Sequence, residues 1–242
     1  MPGSRSPEVA ISPLDTARFG VRIARVGVAS PEDVAGVVEQ ARGLAMAMVI
    51  IRVDAEDTPT IHAIEAAGGR LCDTLVWYSR VVGRDQQPPA VRLATAADAD
   101  RVEALAAAAF AGYVGHYHND NRLDRGAADA TYADWARRSV VDPAVADRVL
   151  VVEVDGVVVG FLTHRFNDDL ESEIVLNGVD PAYQRRGLYG DLVEAALALS
   201  STRGATRCIV STQLSNRSVQ RVWARLGFEL SAARHTFHLW LE

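Results

Sequence analysis

The segment Val175–Gly190, VLNGVDPAYQRRGLYG, most constrains the fold of this 242-residue chain. It reads as a strand, an Asp-Pro stop, a short basic loop and a helix that begins near Leu188. The N-terminus of a helix leaves backbone N–H groups unpaired and carries partial positive charge, so this junction predicts an anion site. Arg185 and Arg186 add charge, and Gly187 lets the backbone approach a ligand closely. The expected ligand group is a pyrophosphate.

Composition limits the classes of protein that fit this chain. Apolar residues make up 49% of it, enough for a sizeable core, and the length is compatible with two domains. The net charge of −6 argues against nucleic acid as a partner, and no apolar run is long enough to cross a membrane. The first residues lack the apolar core of a signal peptide, and Cys72 and Cys208 lie in apolar surroundings typical of buried thiols. We therefore expect a cytoplasmic protein.

A polar, proline-rich stretch at residues 83–90 divides the chain. It is the predicted linker between an N-terminal domain, residues 1–82, and a C-terminal domain, residues 91–242. The elements expected in the first domain are one or two strands in Leu14–Val28, a helix from Ser30-Pro31 to about Leu44, a strand over Met48–Val53, a helix from Thr58 to Gly68 and a strand over Leu71–Val82.

The second domain is expected to alternate helices and strands around an aromatic and polar loop. Its predicted elements are a strand at Val91–Ala94, a helix over Ala96–Ala111, the loop Gly112–Ala128, a helix over Asp129–Val140, a hairpin around Asp155-Gly156, a strand over Glu171–Val179, a helix over Leu188–Thr202, a strand over Arg207–Thr212, a helix capped at Ser215 or Asn216 and two final strands, Phe228–Ala232 and Arg234–Leu241.

A faint internal repeat relates the two domains. A shift of 159 positions places the strand that begins at Met48 on the one that begins at Arg207, and Gly68 on Gly227, without a gap. Either the first domain is a half-copy of the second, or both are ordinary helix–strand units. The segment that corresponds to the basic loop, Arg25–Ser30, has no phosphate-type signature, so an anionic cofactor is expected only in the second domain.

The basic loop and the helix after it carry a motif. Val179, Pro181, Tyr183, Gln184, Gly187, Tyr189 and Gly190 fit an altered V-x-P-x-Y-Q-x-x-G-x-Y-G, and Asn216 leads through Trp223 to Leu226-Gly227-Phe228. With the order of elements, these residues make Val91–Glu242 resemble the GNAT superfamily of acyl-CoA-dependent N-acyltransferases. The resemblance implies an α/β (α+β) GNAT fold, a mixed central sheet flanked by helices, here with an N-terminal partial GNAT-like unit.

The same resemblance implies how the acyl donor binds. In such proteins the loop amides bind the CoA pyrophosphate, and the preceding strand splays from its neighbour, so that free backbone groups hold the pantetheine and polarise the thioester. Acetyl-CoA or another acyl-CoA is the implied co-substrate. The implied donor-binding residues are Asn177, Val179, Gln184, Arg185, Arg186, Gly187, Leu188, Tyr189, Gly190, Asn216 and Trp223.

A finer resemblance covers nearly the whole chain. The opening LDTARFG and the loop GHYHNDNRLD are similar to segments of the dTDP-4-amino-4,6-dideoxygalactose (TDP-fucosamine) N-acetyltransferases and related sugar-amine acyltransferases. This likeness implies an amine acceptor on an amino-deoxysugar, free or nucleotide-linked. The residues expected to contact it are His116, Tyr117, His118, Asn119, Asp120, Tyr132 and Trp135. His116 and His118 alone do not make a metal site, because no third ligand is suitably spaced, and we expect no metal.

Acyl transfer to an amine needs a neutral amine, a polarised carbonyl and a proton for the thiolate. Residue parity places Glu173, Asn177 and Val179 on one strand face, so Glu173 is the expected base, with His164 as the alternative. Many GNAT proteins place a tyrosine acid where this chain has Trp223, whose N–H is a poor acid. Either another group such as Tyr189 supplies the proton, or solvent does, or the donor or the reaction differs.

These features predict direct acyl transfer, most simply of acetyl, from a CoA thioester to a small-molecule amine in a ternary complex. Neither cysteine has a nucleophile-like setting, which disfavours an acyl-enzyme. Two alternatives remain: a natural-product amine acyltransferase with a carrier-protein or aminoacyl-tRNA donor, and a non-catalytic CoA-binding sensor. Exposed final strands would allow a homodimer.

Overall fold

A computed structural model describes residues 7–27, 30–83 and 91–241, and within them ten strands form one open sheet flanked by seven helices. The strands are β1 (Ala10–Ile11), β2 (Ile23–Gly27), β3 (Met48–Asp54), β4 (Arg70–Val81), β5 (Arg92–Leu93), β6 (Arg148–Val154), β7 (Val157–Phe166), β8 (Glu171–Val179), β9 (Arg207–Gln213) and β10 (Glu229–Trp240). The helices are α1 (Pro13–Phe19), α2 (Pro31–Gly43), α3 (Thr58–Ala66), α4 (Ala99–Ala109), α5 (Arg125–Val141), α6 (Leu188–Thr202) and α7 (Arg217–Arg225). The predicted mixed sheet flanked by helices is confirmed.

The helices form two layers. On one face of the sheet, α2 and α3 pack on β2, β3 and β10, and α6 and α7 pack on β7, β8 and β9. We call this face the outer face. The opposite face, the cavity face, is covered by α4 and α5, whose apolar side chains pack on Phe161, Leu176 and neighbouring strand residues. None of the helices that the structure describes is long and apolar enough to cross a bilayer.

The prediction of strands throughout Leu14–Val28 is wrong for its first half, which forms α1. Pro13 opens this helix, the Ser12 hydroxyl donates to Asp15, and Gly20 ends it in the left-handed region. The same Ser-Pro-x-Asp signal opens α2 at Ser30. The alternation of apolar and polar residues in this segment favours a strand, although the Ser-Pro-x-Asp signal indicates the start of a helix.

The end of the chain forms one strand instead of the predicted two. β10 runs through two register shifts and lies inside the sheet, between β3 and β4. The expectation that the final strands are exposed is therefore wrong, because both edges of β10 are already paired, and the homodimer stays a prediction without this support. The two cysteines are free and buried, as expected.

The two halves of the chain exchange their last strands. The sheet order is β1-β2-β3-β10-β4-β9-β8-β7-β6-β5, so β4 inserts between β9 and β10, and β10 inserts between β3 and β4. A shift of 159 positions superposes the bounds of β3, α3 and β4 on those of β9, α7 and β10. Three residues join β2 to α2, whereas eight join β8 to α6, so the first half lacks the long basic loop.

The predicted domain boundaries stay a prediction, since residues 84–90 of the linker lie outside the described part of the chain. The shared sheet nevertheless predicts that neither half folds alone. We expect residues 91–242 expressed without residues 1–83 to lack a cooperative thermal transition, because β9 and β10 would lose the strand between them. Co-expression of both fragments is expected to restore the transition. A cooperative transition in either fragment alone, monitored by circular dichroism, would contradict this.

Candidate functional site

A cavity of about 730 Å³ lies on the cavity face, between the sheet and the segment that runs from the end of α4 through α5. Its lining residues come from seven neighbouring strands, from β2 to β7 in the sheet order. The residues that line it are Ser12, Leu14, Asp15, Arg18, Arg25, Arg52, Leu75, Trp77, Phe110, Tyr113, His116, Tyr117, Thr131, Tyr132, Trp135, Arg138, Val145, Arg165, Glu173, Val175, Leu176, Asn177, Ser211, Thr212, Gln213, Asn216, Val219, Trp223 and Arg234.

A gap in the sheet connects this cavity to the outer face. The parallel strands β8 and β9 pair only from Glu171↔Arg207 to Ile174↔Val210, and beyond these pairs the strands separate. Asn216 and Trp223, on the outer-face side at α7, line the cavity through this gap. A ligand can therefore reach both faces of the sheet at one point.

A β-bulge at the start of the gap changes which way the β8 side chains point. Thr163 of β7 lies opposite both Val175 and Leu176, and its hydroxyl accepts the Leu176 N–H at 2.9 Å. Glu173, before the bulge, faces the cavity. The prediction that Asn177 and Val179 share that face is wrong, because the extra residue inverts the alternation, and Val179 and Leu162, the partner of Asn177, pack in the outer-face core. Asn177 still lines the cavity, at the gap, as Asn216 does.

The same bulge sets the direction of two backbone amides. The N–H groups of Leu176 and Asp180 point to β7, where they bond Thr163 and Val159. Because N–H groups alternate along a strand, those of Asn177 and Val179 point away from β7 into the gap. Among the described residues, β9 offers no register partner to Asn177 or Val179, so these two amides are left as donors suited to a carbonyl oxygen.

The loop before α6 has the geometry of an anion site. Arg185 and Gly187 adopt left-handed backbone angles, φ 64° and φ 86°, and no side chain caps the helix. The first N–H groups of α6, at Leu188, Tyr189 and Gly190, therefore point out of the helix without a cap. Arg185 and Arg186 are exposed and make no ion pair with a described residue. Gln184 donates to the Val179 carbonyl and closes the loop onto β8.

Tyr189 does not line the cavity. Its hydroxyl accepts a hydrogen bond from Trp223 Nε1 at 2.7 Å, and burial raises its pKa. Trp223 stands between Tyr189 and the cavity, so Tyr189 is poorly placed as an acid in this arrangement. Asn216 donates to Thr212 Oγ1 and does not cap α7, which leaves its amide beside the gap.

Glu173 is a buried carboxylate on the cavity wall, 8% exposed. Arg165 holds its Oε2 through Nε at 3.0 Å and Nη2 at 2.5 Å. His164, the alternative base, is on the outer face, where Nε2 contacts Ser200 Oγ and burial lowers its pKa to about 4. The structure therefore excludes His164 from the cavity wall, because adjacent residues of a strand point to opposite faces.

The loop that precedes α5 brings a chain of three hydrogen-bonded side chains to the cavity. Asp120 Oδ2 contacts His238 Nδ1 at 2.8 Å, and His238 Nε2 contacts His116 Nδ1 at 2.8 Å. Although burial opposes ionisation, hydrogen bonds from His238 and Trp240 lower the Asp120 pKa to about 2. An ionised Asp120 fixes both tautomers, so His116 Nε2 carries a lone pair and is the ring nitrogen left for a ligand.

The other predicted acceptor residues divide into two groups. Tyr117, Tyr132 and Trp135 line the cavity with His116. His118 and Asn119 do not line it: His118 contacts Asp129, and Asn119 donates to the Cys72 carbonyl, so both hold the loop in place. Asp120 reaches the cavity only through His238 and His116.

Sequence reasoning missed the arginines of the cavity. Arg18, Arg25, Arg52, Arg138, Arg165 and Arg234 line it, and Asp15 and Glu173 are its two carboxylates. Isolated arginines on strands carry no motif. The one usable signal was polar residues within otherwise apolar strands, such as Arg52 in MVIIRV.

One group of side chains in the described residues has the composition of a metal site. Ligand atoms of Cys72, Asp120 and His238 lie within 4.8 Å of one another. However, Asp120 and His238 bond each other, and burial raises the pKa of Cys72 to about 12, which disfavours the thiolate a metal needs.

Comparison with known proteins agrees with this geometry. A family model described as the acetyltransferase (GNAT) family matches residues 102–228, just over half of the chain. The spore coat polysaccharide biosynthesis protein SpsD of Bacillus subtilis (strain 168) is 25% identical over 195 residues, which cover 79% of this chain and 66% of that protein. A mycothiol acetyltransferase of Clavibacter sepedonicus is 32% identical over 154 residues, 62% of this chain and 47% of the relative.

The chain thus spans just under two thirds of the first relative and about half of the second. Among solved structures, a GCN5-related N-acetyltransferase from Kribbella flavida is similar with a TM-score of 0.63 and 18% identity, over 90% of this chain and 80% of that one. The chain belongs to the acetyltransferase (GNAT) family.

Proposed function

We propose that this protein transfers an acetyl group from acetyl-CoA to the amine of a small molecule, an amino-deoxysugar, in a ternary complex. The observation that carries this proposal is the gap between β8 and β9, which opens to the α6 loop on one side and to the cavity on the other. The name of the B. subtilis relative, a spore coat polysaccharide biosynthesis protein, supports a sugar acceptor.

The residues of the α6 loop fit the pyrophosphate of an acyl-CoA donor. The uncapped N–H groups of Leu188, Tyr189 and Gly190, with Arg185 and Arg186, would hold the pyrophosphate. When bound, acetyl-CoA supplies an activated acyl group at a thioester. The amides of Asn177 and Val179 would bind the pantetheine arm or stabilise charge on the carbonyl oxygen, and Asn216 would contact the same arm.

Glu173 is the group best placed to remove the ammonium proton. It lies on the cavity wall of β8, just before the bulge, and Arg165 occupies only its Oε2. Oε1 makes no hydrogen bond with a described residue and is left for the amine or for a bridging water. Arg165 orients the carboxylate and acts as a positioning residue.

The body of the acceptor would lie between the aromatic wall and His116. Tyr132 stacks on Phe110 with ring centroids 4.5 Å apart, and both rings line the cavity. His116 Nε2, fixed as an acceptor by Asp120 and His238, would receive a hydroxyl or amine hydrogen of the acceptor. Aromatic surface and fixed polar groups are the usual means of sugar recognition in a closed site.

Gly187→Glu is expected to abolish acetyl-CoA binding, because it places negative charge and bulk where the pyrophosphate would lie. Gly204→Glu is the matched control: Gly204 ends the same helix region with φ 82°, and both glycines open to free space, so the backbone strain is similar. Calorimetric titration should show loss of micromolar binding in Gly187→Glu alone. Equal acetyl-CoA binding by both variants would show that the donor site does not lie at the α6 loop.

Glu173→Gln is expected to lower kcat about 100-fold while acetyl-CoA affinity stays the same, since the amide cannot accept the proton. Glu171→Gln is the control, because Glu171 is on the same strand and also pairs with an arginine, Arg207. Thiol release from acetyl-CoA with a panel of amino sugars measures both. Tight acetyl-CoA binding without turnover on any amine would favour the sensor alternative, and no binding would favour a carrier-protein or aminoacyl-tRNA donor.

Asp120→Asn is expected to raise KM for the acceptor about tenfold, because the amide can donate to His238 and reverse the tautomers that make His116 Nε2 an acceptor. Asp129→Asn alters the neighbouring Asp–His pair, which does not reach the cavity. It should leave KM unchanged. Equal KM values in both variants and the unmodified protein would show that His116 does not contact the acceptor.

A further inference from the structure

The end of the cavity farthest from the β8–β9 gap has an unbalanced positive charge. Six arginines and two carboxylates line the cavity, although the chain as a whole has a net charge of −6. Arg25 on β2, Arg52 on β3 and Arg234 on β10 lie together at this end. We call these three residues the arginine cluster. A basic cavity in an acidic protein indicates an anionic ligand.

Arg52 is the residue of the cluster that most needs a partner. Its Nε is buried without a hydrogen bond, and it makes no ion pair with a described residue. Burial and then the charge of Arg25 lower its pKa, and Asp73 offsets this only partly, from beyond ion-pair distance. A partly buried guanidinium that has no acidic partner and whose Nε lacks a hydrogen bond destabilises a fold, so its presence is explained by a ligand that completes it.

Other unsatisfied groups lie in the same row of the sheet. Thr236 is the register partner of both Arg52 and Asp73, and buried oxygen atoms of Thr236, Asp73 and Gln213 have no hydrogen-bond partner among the described residues. Four of the six such atoms in the described structure therefore lie on four neighbouring strands, and two of their residues, Arg52 and Gln213, line the cavity. This concentration indicates a polar ligand that spans several strands.

The remaining members of the cluster flank Arg52 and are only partly engaged. Arg25 pairs with Asp15 at 2.7 Å and contacts the Tyr117 hydroxyl, which in turn donates to Asp15. Arg234 lies over the ring of Trp77, 5.1 Å from its centroid, and has no acidic partner in the described residues. Both guanidinium groups retain donors for a shared anion.

We propose that the arginine cluster binds a phosphate or pyrophosphate ester group of the acceptor. This inference rests on the proposed function, since it names the chemistry of the acceptor in the same cavity. One arginine suffices for a single carboxylate, whereas three converging guanidinium groups match the charge and the several oxygen atoms of a phosphate ester.

The sheet gives the length of the acceptor. Four strand spacings separate β3 from β8, and each is about 4.8 Å, so the cluster lies roughly 15–20 Å from the gap where the acyl group would be. A short amine such as an amino acid cannot span this distance. An extended acceptor that carries its amine and its phosphate group at opposite ends can.

Calorimetric titration of inorganic pyrophosphate into protein saturated with CoA tests the proposal, because CoA occupies the α6 loop. Arg52→Gln is expected to weaken this binding at least about tenfold without lowering the thermal transition, since it removes a buried unpaired charge. Arg22→Gln is the control: Arg22 is in the same half of the chain but bonds the carbonyls of Leu44 and Ala45 outside the cavity. It should bind pyrophosphate as the unmodified protein does.

Three results would overturn the proposal: no pyrophosphate binding by the unmodified protein, equal binding by Arg52→Gln, or equal affinity for malonate, which would assign the cluster to carboxylates. The same titration in Gly187→Glu without CoA separates this proposal from the proposed function. Pyrophosphate binding there, with no acetyl-CoA binding to the unmodified protein, would keep the anion site and reject the acyl-CoA donor.

Discussion

The antiparallel pairing of β4 with β10 joins the two halves of this protein, and the cavity depends on it. Each strand comes from one half and lies within the other, so ten strands form one sheet instead of two. Only a continuous sheet places Arg52, from the first half, on the same floor as Glu173, from the second. The hydrogen bonds that hold the fold together thus also bring the two ends of the cavity to a fixed separation.

A second constraint is the point where pairing fails. The bulge lies opposite Thr163, and the pairing of β8 with β9 ends at Ile174. The amides of Asn177 and Val179 therefore face the gap, where continued pairing with β9 would otherwise bond them. Unpaired backbone groups are costly unless a ligand or water bonds them. The gap is stable because the strands on both sides are held by a full set of neighbours, and this support keeps the donors preorganised.

Local signals in the sequence predicted the second half of the fold well. The bounds of β8 and α6 were predicted to the residue, since Asp180-Pro181 and Gly187 mark both ends of the loop between them. The prediction at α1 is wrong because it rests on the alternation of apolar and polar residues and not on the Ser-Pro-x-Asp cap. The central position of β10 could not be predicted, because strand order depends on contacts between residues more than a hundred positions apart.

The candidate site shows the same difference between features set by local sequence and features set by contacts between distant residues. Residues within one motif, such as Arg185 to Gly190, were identified together, because a loop and a helix N-terminus suffice to define them. The inverted direction of Asn177 was missed, since one extra residue in a bulge leaves no mark in an apolar–polar pattern. The link from Asp120 through His238 to His116 joins the loop to a strand 118 positions away. The spacing of residues along the sequence does not predict such a contact.

The exchanged strands have a consequence for how ligands enter. Enzymes with two lobes often admit substrate by a hinge motion, but here the lobes share strands and cannot rotate apart without breaking the sheet. Ligands must instead enter separately from the two faces of the sheet. Under the proposed function, a donor would approach the α6 loop from the outer face and an acceptor would enter from the cavity face, so neither would block the path of the other. Such a layout would give random-order kinetics, in which each ligand arrives and leaves independently.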